Sequence, residues 1–222
     1  MTYDTQLIWK LFENIDFDYD NEAFTEEESE WFAEEIITND NSLSWDYEVG
    51  ATKLVLIAEE LDYVIKIPFN GENNWAVGFQ DFYGLPEGIY NYCQYEQELY
   101  DKAFFAGVRE MFLPLIFVDR IKTIPVYIQE KVSCFYAPRT YSKNSEEYLK
   151  EKLKRNEGYL SHKIPFNWIA QVMDFLGSVE KFENFMNFIK KEHIDLDLHV
   201  NNVGFINDHP IILDYGGYFE EV

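Results

Sequence analysis

Apolar positions recur along this chain with two different periods, and the switch between them marks out its parts. Residues 7–12 form an apolar-flecked stretch, followed by an acidic run to Glu22. Thr25 and Glu28 then have the spacing of a capping box, which predicts a helix over residues 26–37 with Trp31, Phe32 and Ile36 at helical spacing. From Trp45 the period falls to two. Strands are predicted over 45–49, 54–58 and 62–68, joined by turns at 50–53 and 59–60. Residues 69–91, rich in Gly, Asn and aromatics, predict an irregular insertion. A helix over about 92–109 follows, then a hairpin of strands 113–119 and 125–132 that turns through Arg120 to Thr123.

After a linker at 135–145 the helical period returns. A charged helix is predicted over 146–157, and one longer helix over 166–190. The longer helix carries a broad apolar stripe that includes Trp168, Ile169, Val172, Phe175, Leu176, Val179, Phe182, Phe185 and Phe188. A polar loop (195–202), a strand (203–206), a turn (207–210) and a second strand (211–213) close the pattern on Asp214-Tyr215-Gly216-Gly217.

Strands clustered before helices place the chain in the α+β class. Its 222 residues suffice for one domain of two lobes. No apolar run approaches the ~20 residues needed to cross a bilayer, and the N-terminus lacks the basic and apolar regions of a signal peptide, so a cytoplasmic protein without membrane contact is expected. Cys93 and Cys134 have no second Cys or His at metal-ligand spacing and are expected to be ordinary thiols.

Charge changes the picture more than composition does. The formal net charge is -23, and residues 1–60 hold 17 acids against Lys10 and Lys53. Such a field repels nucleic acid, because phosphate binding needs clustered Lys and Arg. It would attract a basic protein partner through the N-terminal quarter, or else simply solubilise that surface.

The final hairpin delivers Asp197, Asn202 and Asp214 to one end of itself. Two are hard oxygen ligands of the kind magnesium takes, and the third can act as a base. Asp197 and Asn202 are separated by four residues, and Asp214-Tyr215-Gly216 follows. In this order the motifs resemble those of the protein-kinase-like superfamily. The Asp197-Leu198-His199 wording is similar to its small-molecule branch, such as aminoglycoside and choline kinases, and to short kinase-like proteins of phages and prophages.

That resemblance implies a two-lobed fold: an acidic extension (1–44), a first lobe (45–132), and a helical second lobe (133–222) truncated just after the Asp-Tyr-Gly segment. It implies ATP and Mg2+ as cofactors, Asp197 as the base, and Asn202 and Asp214 as metal ligands. Lys66, in Tyr63-Val64-Ile65-Lys66, resembles the third-strand lysine that holds phosphates and pairs with a helix glutamate. Glu96 is the expected partner from its helix face, with Glu98 the alternative. A plain alternative for Lys66 is an edge-strand lysine that discourages aggregation. Gly50 and Lys53 would form an abbreviated phosphate loop. Gln129 would be the gatekeeper, with backbone groups of Glu130 and Val132 meeting adenine. His199 would touch the transferring phosphate or cap the loop. One departure stands out: Asp195 occupies the position of the usual His. The functions implied are a phosphotransferase, a pseudokinase acting by protein contact, or an acidic protein that docks on a basic partner.

Overall fold

The structure is a computed structural model that describes residues 2–22, 24–40, 42–50, 52–70, 91–134, 141–154 and 165–216. Most of the insertion expected at 69–91, and part of the linker at 135–145, lie outside the described residues. The fold is mixed α and β, and it divides into two units. The first comprises Met1–Gln97, Pro114–Lys131 and Glu220–Val222; the second comprises Glu98–Leu113 and Val132–Phe219.

Five strands build the first unit: β1 (Trp45–Val49), β2 (Lys53–Ala58), β3 (Tyr63–Pro68), β4 (Leu115–Ile121) and β5 (Ile124–Glu130). They pair antiparallel in the order β1-β2-β3-β5-β4, so β3 is the central strand. Side chains alternate across such a sheet with period two. Leu54, Leu56, Ile65, Ile67, Val126 and Ile128 therefore share one face, and all six are buried in one apolar core.

The acidic N-terminal segment covers that face. Helix α1 (Thr5–Glu13) starts on Asp4, whose carboxylate accepts from the backbone N–H of Gln6 and Leu7. Helix α2 (Glu26–Asn39) starts on the capping box read from the sequence, with both of its hydrogen bonds formed. Ile8, Leu11 and Phe12 of α1, and Phe32, Ala33 and Ile36 of α2, enter the same core as the strands. Trp31 does not, being half exposed. The glutamates at 26, 27, 30, 34 and 35 face outward, as a solubilising surface requires. Residues 1–44 thus share one hydrophobic core with the sheet. Hydrogen bonds reinforce this packing: the Tyr19 hydroxyl donates to Pro68 O at 2.8 Å, and Trp45 Nε1 donates to Asp40 Oδ2 at 2.8 Å.

The opposite face of the sheet carries Lys53, Val55, Val64, Lys66, Tyr127 and Gln129. Helix α3 (Tyr92–Ala106) brings Cys93 against Leu115 and Tyr127 there.

The second unit holds α4 (Lys143–Lys154), α5 (Phe166–Leu176), α6 (Val179–Lys191) and a small antiparallel sheet, β6 (Ser133–Cys134), β7 (Val203–Ile206) and β8 (His209–Ile212). The single helix expected over 166–190 is in fact two. Gly177 adopts the left-handed conformation (φ 71°) that ends α5, and the Ser178 hydroxyl caps α6 by accepting from Lys181 N. The break shifts the phase of the stripe, leaving Phe175 and Val179 exposed while Phe182, Phe185 and Phe188 stay buried. A two-residue turn joins β7 to β8. Asn207 (φ 49°) and Asp208 (φ 68°) are both left-handed, the geometry that matches the twist of a tight hairpin. Trp168, fully buried, donates from Nε1 to Gly204 O at 3.3 Å and so ties α5 to β7.

Candidate functional site

Cross-strand register in the first unit decides which lysine meets Glu96. Lys53 lies opposite Pro68, and Val55 lies opposite Lys66, so the two lysines are diagonal neighbours on one face. Glu96 projects from α3 onto that face. It is fully buried, whereas Glu98 is exposed, which settles the choice of helix face. Its Oε1 forms an ion pair with Lys53 Nζ, itself 3 % exposed. The pairing expected for Lys66 is therefore made by Lys53, because α3 sets Glu96 over the start of β2.

Lys66 is 5 % exposed and sits on the central strand, so an edge-strand role is excluded. It lies opposite Tyr127 on β5. Burial pushes the Tyr127 phenol up to about 12, with Cys93 adding to the shift and an Asn91 hydrogen bond opposing it. Tyr127 accordingly stays neutral and supplies no counter-charge. Among the described residues no side-chain hydrogen bond or ion pair of Lys66 is formed. Gln129, on the same face, is buried.

Gly50 lies in the turn before β2, where its N–H donates to Lys53 O at 2.9 Å. A Cβ added there would lie 3.5 Å from that oxygen, an ordinary contact, so the fold itself does not demand glycine. Glu130 ends β5, paired with Tyr63, and the boundary between the units falls just before Val132.

In the second unit a 3-10 turn (Ile194–Leu196) leads to Asp197, and another (Val200–Asn202) leads into β7. Ile194 and Leu198 are buried and anchor this loop by apolar packing. Asp195, at the position where a His would be expected, is half-buried, and that burial pushes its carboxyl up. Asn202 Nδ2 donates to Asp197 O at 2.8 Å and to Asp197 Oδ2 at 3.2 Å, which fixes both the loop and the carboxylate. His199 Nδ1 accepts from Asn201 N at 3.2 Å, and its Nε2 lies 3.8 Å from Asp197 Oδ1. The loop-capping role of His199 is thus formed.

The backbone carries Asp214 to the same end of the hairpin. Leu213 N donates to Asn202 O at 2.9 Å, so Asp214 follows directly on the residue paired with Asn202. Tyr215 is fully buried, donates its hydroxyl to Leu113 O at 2.8 Å and packs edge-on against Phe112. Asp214 is held between this anchor and β8.

Among the described residues no three His, Cys, Asp or Glu side chains converge as a dedicated metal site. Asn202 and Asp214 each carry an oxygen donor of the kind magnesium takes. Asn202 directs its amide N–H groups at Asp197, which leaves its Oδ1 free of those two bonds. One or two protein oxygens, completed by phosphate and water, are what that ion usually takes.

The pairing of Glu96 with Lys53 is the feature that residue pattern alone missed. The hairpin register was its signal, since Lys53, Val55 and Lys66 fall on one face once the Gly50 turn is closed by a Gly50–Lys53 bond.

No protein-family model, no curated protein and no solved structure matches this chain. Among the described residues no helix is long and apolar enough to cross a membrane.

Proposed function

We propose that the protein is a phosphotransferase of the protein-kinase-like type that uses ATP and magnesium. The observation that carries this reading is the Asn202 amide held on both the backbone and the carboxylate of Asp197, with Asp214 one residue beyond the partner of Asn202. A strand-to-helix ion pair in the first unit, Lys53 with Glu96, supports it.

The residues then have definite tasks. Asp197 accepts the proton of the acceptor hydroxyl as that oxygen attacks the terminal phosphorus of ATP and the bond from that phosphorus to the bridging oxygen breaks, releasing ADP. Asn202 orients the carboxylate for this transfer, and buried Ile194 and Leu198 keep the loop from shifting. Lys66 and the Gly50–Lys53 turn meet phosphate oxygens, while backbone groups of Glu130 and Val132 meet the adenine. Asn202 Oδ1 and Asp214 would hold magnesium, which, when bound, neutralises charge on the phosphates. Phosphoryl transfer is mostly positioning and charge stabilisation, so the whole set is needed.

Transfer of the terminal phosphate of radiolabelled ATP to a hydroxyl acceptor or to water tests the reading. Asp197→Asn should lower that rate about 10²–10⁴-fold, the usual worth of a positioned base, while leaving nucleotide binding in place. Equal rates in the two proteins would remove Asp197 from the chemistry. A second reading, nucleotide binding without turnover, is favoured by Asp195 standing at the usual His position. It predicts no transfer in either protein but the same binding.

A further inference from the structure

The five-stranded sheet has two edges, β1 and β4, and they are finished differently. A strand edge presents backbone N–H and C=O groups with which another extended chain can pair, and folds blunt it with bulges, lysines or prolines. β4 carries such a device, a break in register between Phe117 and Asp119, and Gln97 Nε2 donates to its Leu115 O at 3.1 Å. β1 pairs with β2 in unbroken register from Trp45 to Val49 and contains neither lysine nor proline.

Register says which groups of β1 point outward. Gly50 N–H donates to Lys53 O at 2.9 Å and Glu59 N–H to Ser44 O at 3.3 Å, so Ser44, Asp46, Glu48 and Gly50 are the residues bonded toward β2. Trp45, Tyr47 and Val49 therefore turn their backbone groups away from the sheet. Among the described residues those of Trp45 and Val49 meet no partner, and the Tyr47 N–H meets only the Asp46 carboxylate, at 2.8 Å.

Side chains make this edge selective. Trp45, Tyr47 and Val49 lean on the apolar core, whereas Asp46 and Glu48 stand exposed on the other face. If two copies paired β1 antiparallel, centred on Tyr47, each Asp46 would stand directly opposite a Glu48, a like-charge contact that disfavours the pairing. Such an edge turns away other copies of a chain whose formal charge is -23 and favours a strand with lysine or arginine at alternate positions.

We propose that β1 is a docking edge for an extended segment of a basic protein. The segment adds as an outer strand, with alternate cations facing Asp46 and Glu48 and apolar side chains beside Trp45, Tyr47 and Val49. Main-chain bonds hold it, and the two acids select it. No residue given a task in phosphoryl transfer lies in β1, so the two readings stand or fall separately.

Fluorescence anisotropy with a labelled peptide of alternating lysine and valine tests the proposal. The wild type should bind this peptide, less tightly as salt rises, and should bind neither an alternating glutamate-valine peptide nor a lysine-valine peptide whose backbone N–H groups are all methylated. Val49→Pro removes one outward donor and spares the bonds to β2, so it should weaken binding about tenfold. Asp46→Lys with Glu48→Lys should weaken it about tenfold or more and bring on binding of the glutamate-valine peptide. Circular dichroism and urea unfolding check that both variants fold, and the methylated peptide tests strand pairing on the wild type in any case. No binding of the lysine-valine peptide, equal binding of its methylated form, or undiminished binding by the folded charge-reversed variant would each overturn the proposal.

Discussion

Lys53→Met is expected to destabilise the protein by about 3–5 kcal/mol, because it removes the lysine that is ion-paired with the fully buried Glu96. Burying the pair together is close to neutral, since desolvation of two ions offsets most of their attraction. Removing one member takes away an attraction that offsets the other's desolvation. Adding Glu96→Gln to Lys53→Met should therefore return much of the loss, and urea denaturation of the four proteins of this cycle measures it. The diagonal neighbour Lys66 provides an internal check. If its ammonium swings to Glu96 once Lys53 is gone, the single variant loses less, and Lys53→Met with Lys66→Met loses more than the sum of the two. An additive double variant with a full-sized Lys53 effect means that Lys66 stays where it is. A Lys53→Met loss below about 1 kcal/mol that is also additive with Lys66→Met would contradict the buried pair.

Deleting residues 1–40 is expected to abolish cooperative folding of the first unit. The deletion would strip α1 and α2 from the sheet and expose Leu54, Leu56, Ile65, Ile67, Val126 and Ile128 together. No solvated face of a stable sheet carries six such residues on three adjacent central strands. The rings show how closely this layer is packed. Phe24 lies 5.1 Å from Phe32, 5.5 Å from Phe17 and 5.7 Å from Phe69, each in an edge-to-face arrangement. Phe32→Ala alone should remove about 3–5 kcal/mol, the usual cost of an aromatic cavity in a core. Circular dichroism and urea unfolding of the truncated and substituted chains test both statements. A truncated chain that still unfolds in one sharp transition would show that the acidic segment is separable after all.

Local chemistry made some of this structure legible in the sequence and left some of it hidden. The capping box at Thr25 and Glu28 reported the start of α2 to the residue, because two reciprocal hydrogen bonds depend only on residues three apart. The alternation around Lys66 correctly placed Ile65 and Ile67 on the core face and Lys66 on the other. The break at Gly177 and Ser178 was hidden by the apolar stripe, which runs on through it in sequence. A glycine in a helical pattern is often tolerated, and only the left-handed cap and the Ser178 hydrogen bond decide for a break. Trp31 fell at core spacing yet half faces solvent, since a helix face of finite width cannot bury positions 31, 32 and 36 equally.

The candidate site divides along the same line. Asp197 and Asn202 are near neighbours in sequence and Leu213, next to Asp214, pairs with Asn202 across one hairpin, so this much follows from turn chemistry that short windows reveal. Glu96 and Lys53 are 43 residues apart, and their pairing depends on where α3 lands on the sheet. No local pattern encodes that landing. Motif order suggested Lys66 as the partner of Glu96, whereas register and helix placement put Lys53 there.

Thermal unfolding with ATP and magnesium tests the central proposal, that this protein binds a magnesium nucleotide, most directly. A ligand that binds only the folded state stabilises it by about 2.7 kcal/mol at a hundredfold excess over Kd, or roughly 5–11 °C for a chain of this size. The wild type should show that rise, and Asp214→Asn should keep only the part that persists without magnesium. No rise in the wild type at millimolar nucleotide would contradict the account, for the active enzyme and for the inactive binder alike.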